Sequence, residues 1–189
     1  MSSPRRLYLK VALKLLLLVG LSLAAIPFIT SLQRADHETS EDSNPWYVEV
    51  DLTGLAPGQW QSVAWPGGEV WIYARTPREM KTLQMAQSDR LRDPDSHFSQ
   101  QPAAARNSYR SLKPEYFVVL PRESRRGCQV QQIQLQAGIN GYTEACYGAR
   151  FDNAGRIFKD SGDVDQRNLS VPPYEFLSPN RLRLLPSLP

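Results

Sequence analysis

An apolar run near the start of the chain limits what the remaining residues can fold into. Residues 11–32 read VALKLLLLVGLSLAAIPFITSL and contain a single charged residue, Lys14. As a helix, a run of this length would extend about 33 Å, enough to cross the hydrocarbon core of a bilayer. Lys14 lies near one end and can extend its ammonium group to the headgroups. The run therefore predicts a transmembrane anchor that leaves one small domain on its C-terminal side.

Charge on either side of this run sets the expected orientation. Residues 1–33 carry four cations and no acid, and because the whole chain has a net charge of +3, the remainder sums to −1. Acidic residues follow the run within 36–42, so the positive-inside rule places the N-terminus in the cytoplasm and the domain outside it. The near-neutral domain carries no basic patch of the kind that binds nucleic acid.

The N-terminus allows two further alternatives. A cleaved secretory signal would end near Ser22-Leu23-Ala24, although the apolar run continues eight residues further. The stretch PRRLYLK at 4–10 is similar to a twin-arginine export signal carried by Arg5 and Arg6, or it supplies only positive flanking charge. We favour an uncleaved anchor.

Beyond the anchor the chain predicts an all-β domain. Residues 33–45 are polar and read as a flexible tether. Thr76, Pro77 and Glu79 form a capping-box pattern that predicts one short helix through about residue 87. Short alternating or apolar runs separated by turn residues predict an antiparallel β-sandwich or barrel-like domain. The predicted strands are 46–52, 62–65, 69–75, 115–120, 129–136, 145–151, 156–159, 174–177 and 181–185.

The two cysteines, Cys128 and Cys146, admit three interpretations: a metal site, a working redox pair or a structural disulfide. His37 and His97 do not lie at short ligand spacing from either cysteine, which disfavours a metal site built from these four residues. Outside the cytoplasm a disulfide is the favoured state. Neither a nucleophile–histidine arrangement nor a glycine-rich phosphate loop is visible, so the residues themselves indicate no active site and no small-molecule substrate.

Long stretches of the chain resemble the Rieske iron–sulfur subunits of proteobacterial cytochrome bc complexes. The resemblance covers almost the whole chain and implies a Rieske-like β domain at 46–189, after a signal-like segment at 1–10, the anchor at 11–32 and the tether at 33–45. It also implies a bacterial inner membrane, with the domain in the periplasm. The matching stretches are AAIPFITS, VEVDLTGLAPGQWQSVAWPGGEVWIYARTPREM, LRDPDSHFSQQP, RSLKPEYFVVL, RIFKD and VPPYEFLSPNRLRL.

In that family two loops, C-T-H-L-G-C and C-P-C-H-G-S, hold a [2Fe–2S] cluster through two cysteines and two histidines. The resemblance places Glu123 and Glu144 at the ligand cysteines. It places Arg125 and Tyr147 at the ligand histidines, and Cys128 and Cys146 at the two cysteines that form the family's disulfide.

Other family features are replaced as well. The serine and tyrosine whose hydroxyls hydrogen-bond the cluster sulfurs correspond to Ala149 and Phe151. The proline-containing covering loop corresponds to DSGDVDQRNL, at 160–169, which has no proline. A guanidinium has no lone pair for iron, and carboxylate and phenol oxygens are poor substitutes for thiolate and imidazole. We therefore expect no catalytic, cofactor-binding or metal-binding residue, and no cofactor.

Several roles remain for the four replaced positions. Arg125 could form an ion pair with a carboxylate across the two loops, and the two carboxylates could bind a cation or act in acid–base chemistry. Solvated loop residues without a role are the plainest alternative.

The sequence thus favours a membrane-anchored, cluster-free Rieske-like accessory or structural protein. Its expected partner is a respiratory membrane complex, through cytochrome bc or terminal oxidase subunits, or the assembly of that complex. The alternatives are a functional Rieske subunit of ubiquinol–cytochrome c reductase and a stand-alone periplasmic binding domain. The resemblance leaves enzymatic activity open, and the lost ligands favour its absence.

Overall fold

The computed structural model describes residues 8–22, 47–66, 68–85, 88–136 and 138–186. The chain divides into two compact units, Met1–Ser43 and Asn44–Pro189. In the first unit, residues 8–22 form helix α1, whose side chains are exposed. Within the part of the chain that the structure describes, none of the helices is both long and apolar enough to span a bilayer.

Three predictions fall on residues outside the described ranges. The predicted export-signal arginines, Arg5 and Arg6, precede α1. The second half of the predicted anchor, 23–32, and the predicted tether, 33–45, follow it. These assignments stay predictions from the sequence.

The second unit is built from three small antiparallel sheets, each of three strands. Their strand orders are β1-β9-β8, β2-β3-β4 and β5-β6-β7. The mainly β, antiparallel character predicted from the sequence is confirmed, with three sheets where a sandwich was expected. The strands are β1 (Val48–Asp51), β2 (Trp60–Trp65), β3 (Gly68–Ala74), β4 (Tyr116–Val119), β5 (Val130–Gln136), β6 (Ile139–Glu144), β7 (Arg150–Phe151), β8 (Tyr174–Ser178) and β9 (Arg181–Leu184).

The core lies where the apolar faces of these sheets meet. Strand β3 is buried along most of its length and pairs with both β2 and β4. Phe117 on β4 and Tyr142 on β6 pack with their ring centroids 6.1 Å apart, which joins the second sheet to the third. Since the third sheet carries both loops of the candidate site, this packing fixes the site to the core.

Helix α2 (Pro77–Gln84) begins as the sequence predicts. The Thr76 backbone N–H donates to the Glu79 carboxylate at 2.9 Å, and the Glu79 N–H donates to the Thr76 hydroxyl at 3.3 Å. The same carboxylate accepts the N–H of Asn140 at 3.0 Å. Glu79 therefore also ties the helix to the start of β6.

The sequence missed β6 and misplaced the strand after it. Residues 137–143 read AGINGYT, which suggests a turn, yet β6 pairs with both β5 and β7. Gly141 permits this because a Cβ there would overlap the Phe151 carbonyl and the Leu135 side chain. The prediction of strand across 145–151 is wrong for 145–149, which form a turn, and β7 is only two residues long.

Candidate functional site

Three segments converge at one end of the third sheet. The first loop (122–128) connects β4 to β5, the second loop (145–149) connects β6 to β7, and the cover segment (160–169) lies against both. A disulfide joins Cys128 to Cys146, with their Cα atoms 6.4 Å apart. Of the three interpretations of the cysteines, the structure therefore contains the disulfide that the family resemblance implied.

Each loop is organised around a buried glutamate. Glu123 is 3% exposed, and its carboxylate accepts the backbone N–H groups of Arg125 (2.7 Å), Arg126 and Cys128 (3.2 Å). A side chain that satisfies the backbone of its own loop in this way competes with strand pairing and stabilises a turn.

Glu144 repeats this arrangement in the second loop. It is 2% exposed, and its carboxylate accepts the N–H groups of Cys146 (2.6 Å), Tyr147 (3.0 Å) and Ala149 (3.0 Å). Both residues aligned with ligand cysteines therefore direct an anionic group at the backbone donors of their own loop.

Gln166 of the cover segment connects the two carboxylates. Its side-chain Nε2 donates to Glu123 Oε2 at 3.0 Å and to Glu144 Oε1 at 3.1 Å. Its Oε1 accepts the backbone N–H of Asp163 at 2.8 Å. With two amide hydrogens, one NH₂ group can serve both carboxylates at once, so Gln166 holds the three segments together as a polar bridge.

The two carboxylates are stabilised in their charged form. Burial acts to raise the pKa of Glu123, but hydrogen bonds from Gln166 and from three backbone N–H groups outweigh it and leave the pKa below its ordinary value. For Glu144 burial is again the largest single influence and acts to raise the pKa, but hydrogen bonds from the N–H of Ala149, from Gln166 and from the other loop donors together outweigh it and leave the pKa below its ordinary value. Both groups are anionic at neutral pH.

Arg125 does not form the ion pair that the sequence suggested. Its guanidinium pairs with Asp163 of the cover segment, not with Glu123 or Glu144. The correction has a physical reason: backbone donors and Gln166 already occupy the oxygens of both carboxylates, whereas Asp163 offers a carboxylate beside solvent. Arg125 and Arg126 also lie 5.4 and 5.5 Å from the ring centroid of Tyr147.

Sequence reasoning missed the residues that fix the cover segment. Arg92 donates to the backbone carbonyls of Ser161 (2.5 Å), Gln166 (3.3 Å) and Asp163. Gly162 has a φ of +70°, and a Cβ there would lie 2.7 Å from the Cβ of Ala149. A glycine inside a polar segment was a visible signal of tight packing, but nothing in the sequence indicated what it packs against.

The positions aligned with the family's tuning hydroxyls are apolar and fully buried. Ala149 and Phe151 are both 0% exposed and belong to the hydrophobic core cluster. The replacement therefore does more than remove two hydroxyls, because it extends the apolar core to the base of the loops.

Among the described residues, one group places three metal-ligating side chains together. Atoms of Cys128, Glu144 and Cys146 lie within 4.8 Å of one another, but both sulfurs are in the disulfide. His97 is exposed and 3.9 Å from Asp95, and it is not part of this group; His37 lies outside the described ranges.

Comparison with known proteins places the chain among iron–sulfur subunits. The ubiquinol–cytochrome c reductase iron–sulfur subunit of Allochromatium vinosum is 31% identical over 182 residues, covering 92% of this chain and 84% of that protein. The corresponding subunit of Blastochloris viridis is 31% identical over 182 residues, covering 96% and 93%. The mitochondrial cytochrome b-c1 complex subunit Rieske of Solanum tuberosum is 33% identical over 135 residues, covering 71% and 45%.

The chain was also compared with protein-family models and with solved structures. No family model matches the chain. A chain of a solved hyperthermophilic respiratory complex III aligns with a TM-score of 0.44 at 17% identity, covering 87% of this chain and 97% of that one. On the two bacterial relatives, each matched over most of its length, the chain belongs to the Rieske iron–sulfur subunit family of ubiquinol–cytochrome c reductases.

Proposed function

We propose that this protein is a cluster-free member of the Rieske family that serves a respiratory electron-transfer complex, or its assembly, as an accessory subunit. One observation carries the proposal. The two glutamates at the ligand-cysteine positions accept the N–H donors of both loops, and Gln166 bridges them at 3.0 and 3.1 Å. In this role the polar bridge and the disulfide hold the loops in place of a cluster.

The donor set does not fit a [2Fe–2S] cluster. The guanidinium of Arg125 has no lone pair to donate to iron, and the phenol of Tyr147 offers a hard oxygen in place of imidazole nitrogen. The carboxylates of Glu123 and Glu144 stand at the positions of two thiolates, but carboxylate oxygens are hard donors. Their oxygens also already accept hydrogen bonds from the backbone N–H groups of their own loops. No electron-transfer step is therefore assigned to the protein.

An apolar pair beside the site supports docking onto a partner. Phe98 is 72% exposed and Val164 is 84% exposed, and both line one surface cavity of about 500 Å³. Exposed large apolar side chains that share a patch are typical of protein interfaces. Asp165 and Arg167 line the same cavity, and Arg167 donates to the Phe98 carbonyl at 3.1 Å, so the surface offers an apolar pair with charged groups of both signs at its edge.

A co-purification experiment tests the docking role. The tagged full chain is isolated in mild detergent from its native membranes, and cytochrome bc or terminal oxidase subunits are sought by mass spectrometry. Phe98→Asp should abolish their recovery, whereas Met85→Asp, at a side chain that is 65% exposed elsewhere on the domain, should leave recovery unchanged. Recovery that is equal for both variants, or absent for the unmodified chain, would contradict the docking role.

The location of the protein is part of the same proposal. Residues 11–32 act as an uncleaved single-pass anchor in a bacterial inner membrane, with Arg5 and Arg6 in the cytoplasm and the β domain in the periplasm. The charge asymmetry of the sequence supports this orientation, and the disulfide is consistent with an oxidising compartment. Carbonate-resistant membrane association, with protease access to the β domain only from the periplasmic side, is the expected result.

The family's own activity, electron transfer from ubiquinol to cytochrome c, is the second candidate. The named activity of the two bacterial relatives favours it. The replaced donors at 123, 125, 144 and 147 oppose it. The iron and acid-labile sulfide content of the purified full chain separates the two candidates.

A further inference from the structure

A cavity of about 420 Å³ opens on the β domain between helix α2, the hairpin of β5 and β6, and the turn that follows β7. Its volume lies in the range of about 300–1,000 Å³ that small-molecule sites occupy, near the lower end. None of its lining residues belongs to the two loops or the cover segment, so it is separate from the site at the disulfide. Six apolar side chains line the cavity: Leu83, Met85, Leu91, Leu135, Ile139 and Phe158.

Buried polar groups in the lining are already hydrogen-bonded within the protein. The Glu79 carboxylate accepts the Tyr73 hydroxyl at 2.9 Å and the side-chain amide of Asn153 at 3.1 Å. The Asp152 carboxylate accepts the Nε–H of Arg156 at 2.8 Å. A ligand would gain no hydrogen bond from these satisfied groups, so its contacts inside the cavity are with the apolar side chains.

Two exposed arginines, Arg90 and Arg150, add positive charge to the cavity. The backbone N–H of Phe158 donates to the Arg150 carbonyl at 3.0 Å, and the next N–H, of Lys159, donates to the Arg90 carbonyl at 3.0 Å. The arginines therefore stand on either side of the Phe158 segment, and the Arg90 guanidinium lies 5.7 Å from the Phe158 ring centroid. Arg150 also pairs with Asp160, but these side chains are 48% and 65% exposed, and exposed ion pairs are weak.

We propose that this cavity binds one fatty acid. The acyl chain packs against the apolar lining, and the carboxylate accepts hydrogen bonds from Arg90 and Arg150 at the surface. Guanidinium groups suit this role, because they stay charged and present paired N–H donors to a carboxylate. A volume near the lower end of the range for small-molecule sites favours one chain over the two chains of a phospholipid.

Apolar surface that now faces water supplies the driving force for binding the chain. Met85 is 65% exposed, and Leu135 and Phe158 are half-buried. A bound chain covers these side chains, and the free energy it gains is proportional to the apolar area removed from water. The unbranched thioether of Met85 can also adapt its rotamer to a chain beneath it.

Photolabelling of the full chain in detergent tests the site. The probe is decanoic acid with a diazirine at its terminal carbon, and the labelled peptides are identified by mass spectrometry. We expect labelling in helix α2, in the hairpin of β5 and β6, or at 150–158. Excess decanoate should suppress this labelling far more than excess decanol, which has the same chain and no charge. Labelling of the apolar helix α1 reports how much probe the detergent holds, and it should be the same for every variant.

Two variants remove the two halves of the site independently. The Arg90→Gln, Arg150→Gln double variant should weaken labelling of the cavity about tenfold or more, because it removes two charged hydrogen-bond donors. Thr82→Phe keeps both arginines and places a ring in the cavity from the half-buried Thr82 on α2, and it should weaken labelling equally. Arg122→Gln, at an exposed arginine of the first loop that does not line the cavity, is the matched control and should change nothing.

Three results would each overturn the fatty-acid site. They are cavity labelling that is equal in all variants, competition by decanol as strong as by decanoate, and labelling confined to α1. None of them bears on iron content or on recovery of a membrane partner, which test the proposed function separately.

Discussion

Replacing Gln166 by glutamate changes its NH₂ group to an oxygen, and it should turn the attraction between this side chain and the two carboxylates into repulsion. The side chain keeps its size, so no cavity forms, but a donor that lies 3.0 and 3.1 Å from two carboxylates becomes a third carboxylate. At an effective dielectric constant of 20, each of the two new repulsions is worth about 5 kcal/mol. Taking up a proton at pH 7 costs only about 4 kcal/mol for a group with the ordinary pKa of glutamic acid. The introduced group is therefore expected to be protonated in the folded protein.

The loss of stability expected for Gln166→Glu follows from protonation of the introduced carboxyl group. A protonated carboxyl has one O–H donor, so it restores one of the two hydrogen bonds of Gln166, and the other, to a charged group, is worth about 1.5–3 kcal/mol. Together with proton uptake, Gln166→Glu should lower the free energy of unfolding at pH 7 by about 6 kcal/mol. The pKa of the introduced group is raised on folding, so the loss grows as pH rises and shrinks as pH falls. Between pH 7 and pH 5 it should shrink by about 2.7 kcal/mol.

Urea unfolding of the full chain at pH 5, 6 and 7 measures this slope against the unmodified protein. Gln166→Met is the first control, because it removes the donors without adding a charge and should cost about 3 kcal/mol at every pH. Gln131→Glu, on an exposed position of β5, is the second control and should have little effect. A loss for Gln166→Glu that is small, or that does not depend on pH, would refute the bridge between the two carboxylates.

Three further predictions concern the two loops and the cover segment. Cys128→Ala, or reductant, should lower the free energy of unfolding by about 3 kcal/mol, because the bond closes a loop with a sequence separation of 18; unchanged thermal unfolding would show that the disulfide is not a clamp. Because folding lowers the pKa of Glu123 and Glu144, their contribution is complete above the pKa of the unfolded chain, near pH 4–5, and lost as pH falls through the folded pKa. Urea midpoints should therefore fall more steeply below pH 4 in the unmodified protein than in the Glu123→Gln, Glu144→Gln double variant, and parallel curves would argue against the lowered pKa values. Gly162→Ala should cost about 2 kcal/mol or more, since φ is +70° and the new Cβ meets Ala149, whereas Gly54→Ala, in open space, should cost little; equal unfolding midpoints would contradict the tight packing of the cover segment.

The elements that the sequence predicted correctly are those specified locally. Thr76 and Glu79 lie three residues apart, and the helix start they form needs no distant partner. The hairpin of β2 and β3 is likewise set by a proline–glycine turn between two short runs of strand-forming residues. Strand β6 was missed because Gly141 looks like a turn residue until the close approach of Leu135 and Phe151 is known.

The site was predictable in position and not in chemistry. Family resemblance located Glu123, Arg125, Glu144 and Tyr147 on two loops joined by a disulfide. The partners of these residues depend on tertiary contacts: Gln166 and Asp163 belong to the cover segment, whose backbone carbonyls accept hydrogen bonds from Arg92, 69 to 74 residues earlier in the chain. A glutamate at a ligand position also gives no sign in the sequence that its carboxylate will bind the backbone of its own loop.

The iron and acid-labile sulfide content of the full chain tests the cluster-free proposal most directly. The protein is produced in a host that assembles iron–sulfur clusters, with a known Rieske subunit expressed in parallel as the positive control. Our account predicts substoichiometric iron and sulfide and no Rieske-type electron paramagnetic resonance signal from the reduced chain. Two irons and two sulfides per chain, with that signal, would contradict it.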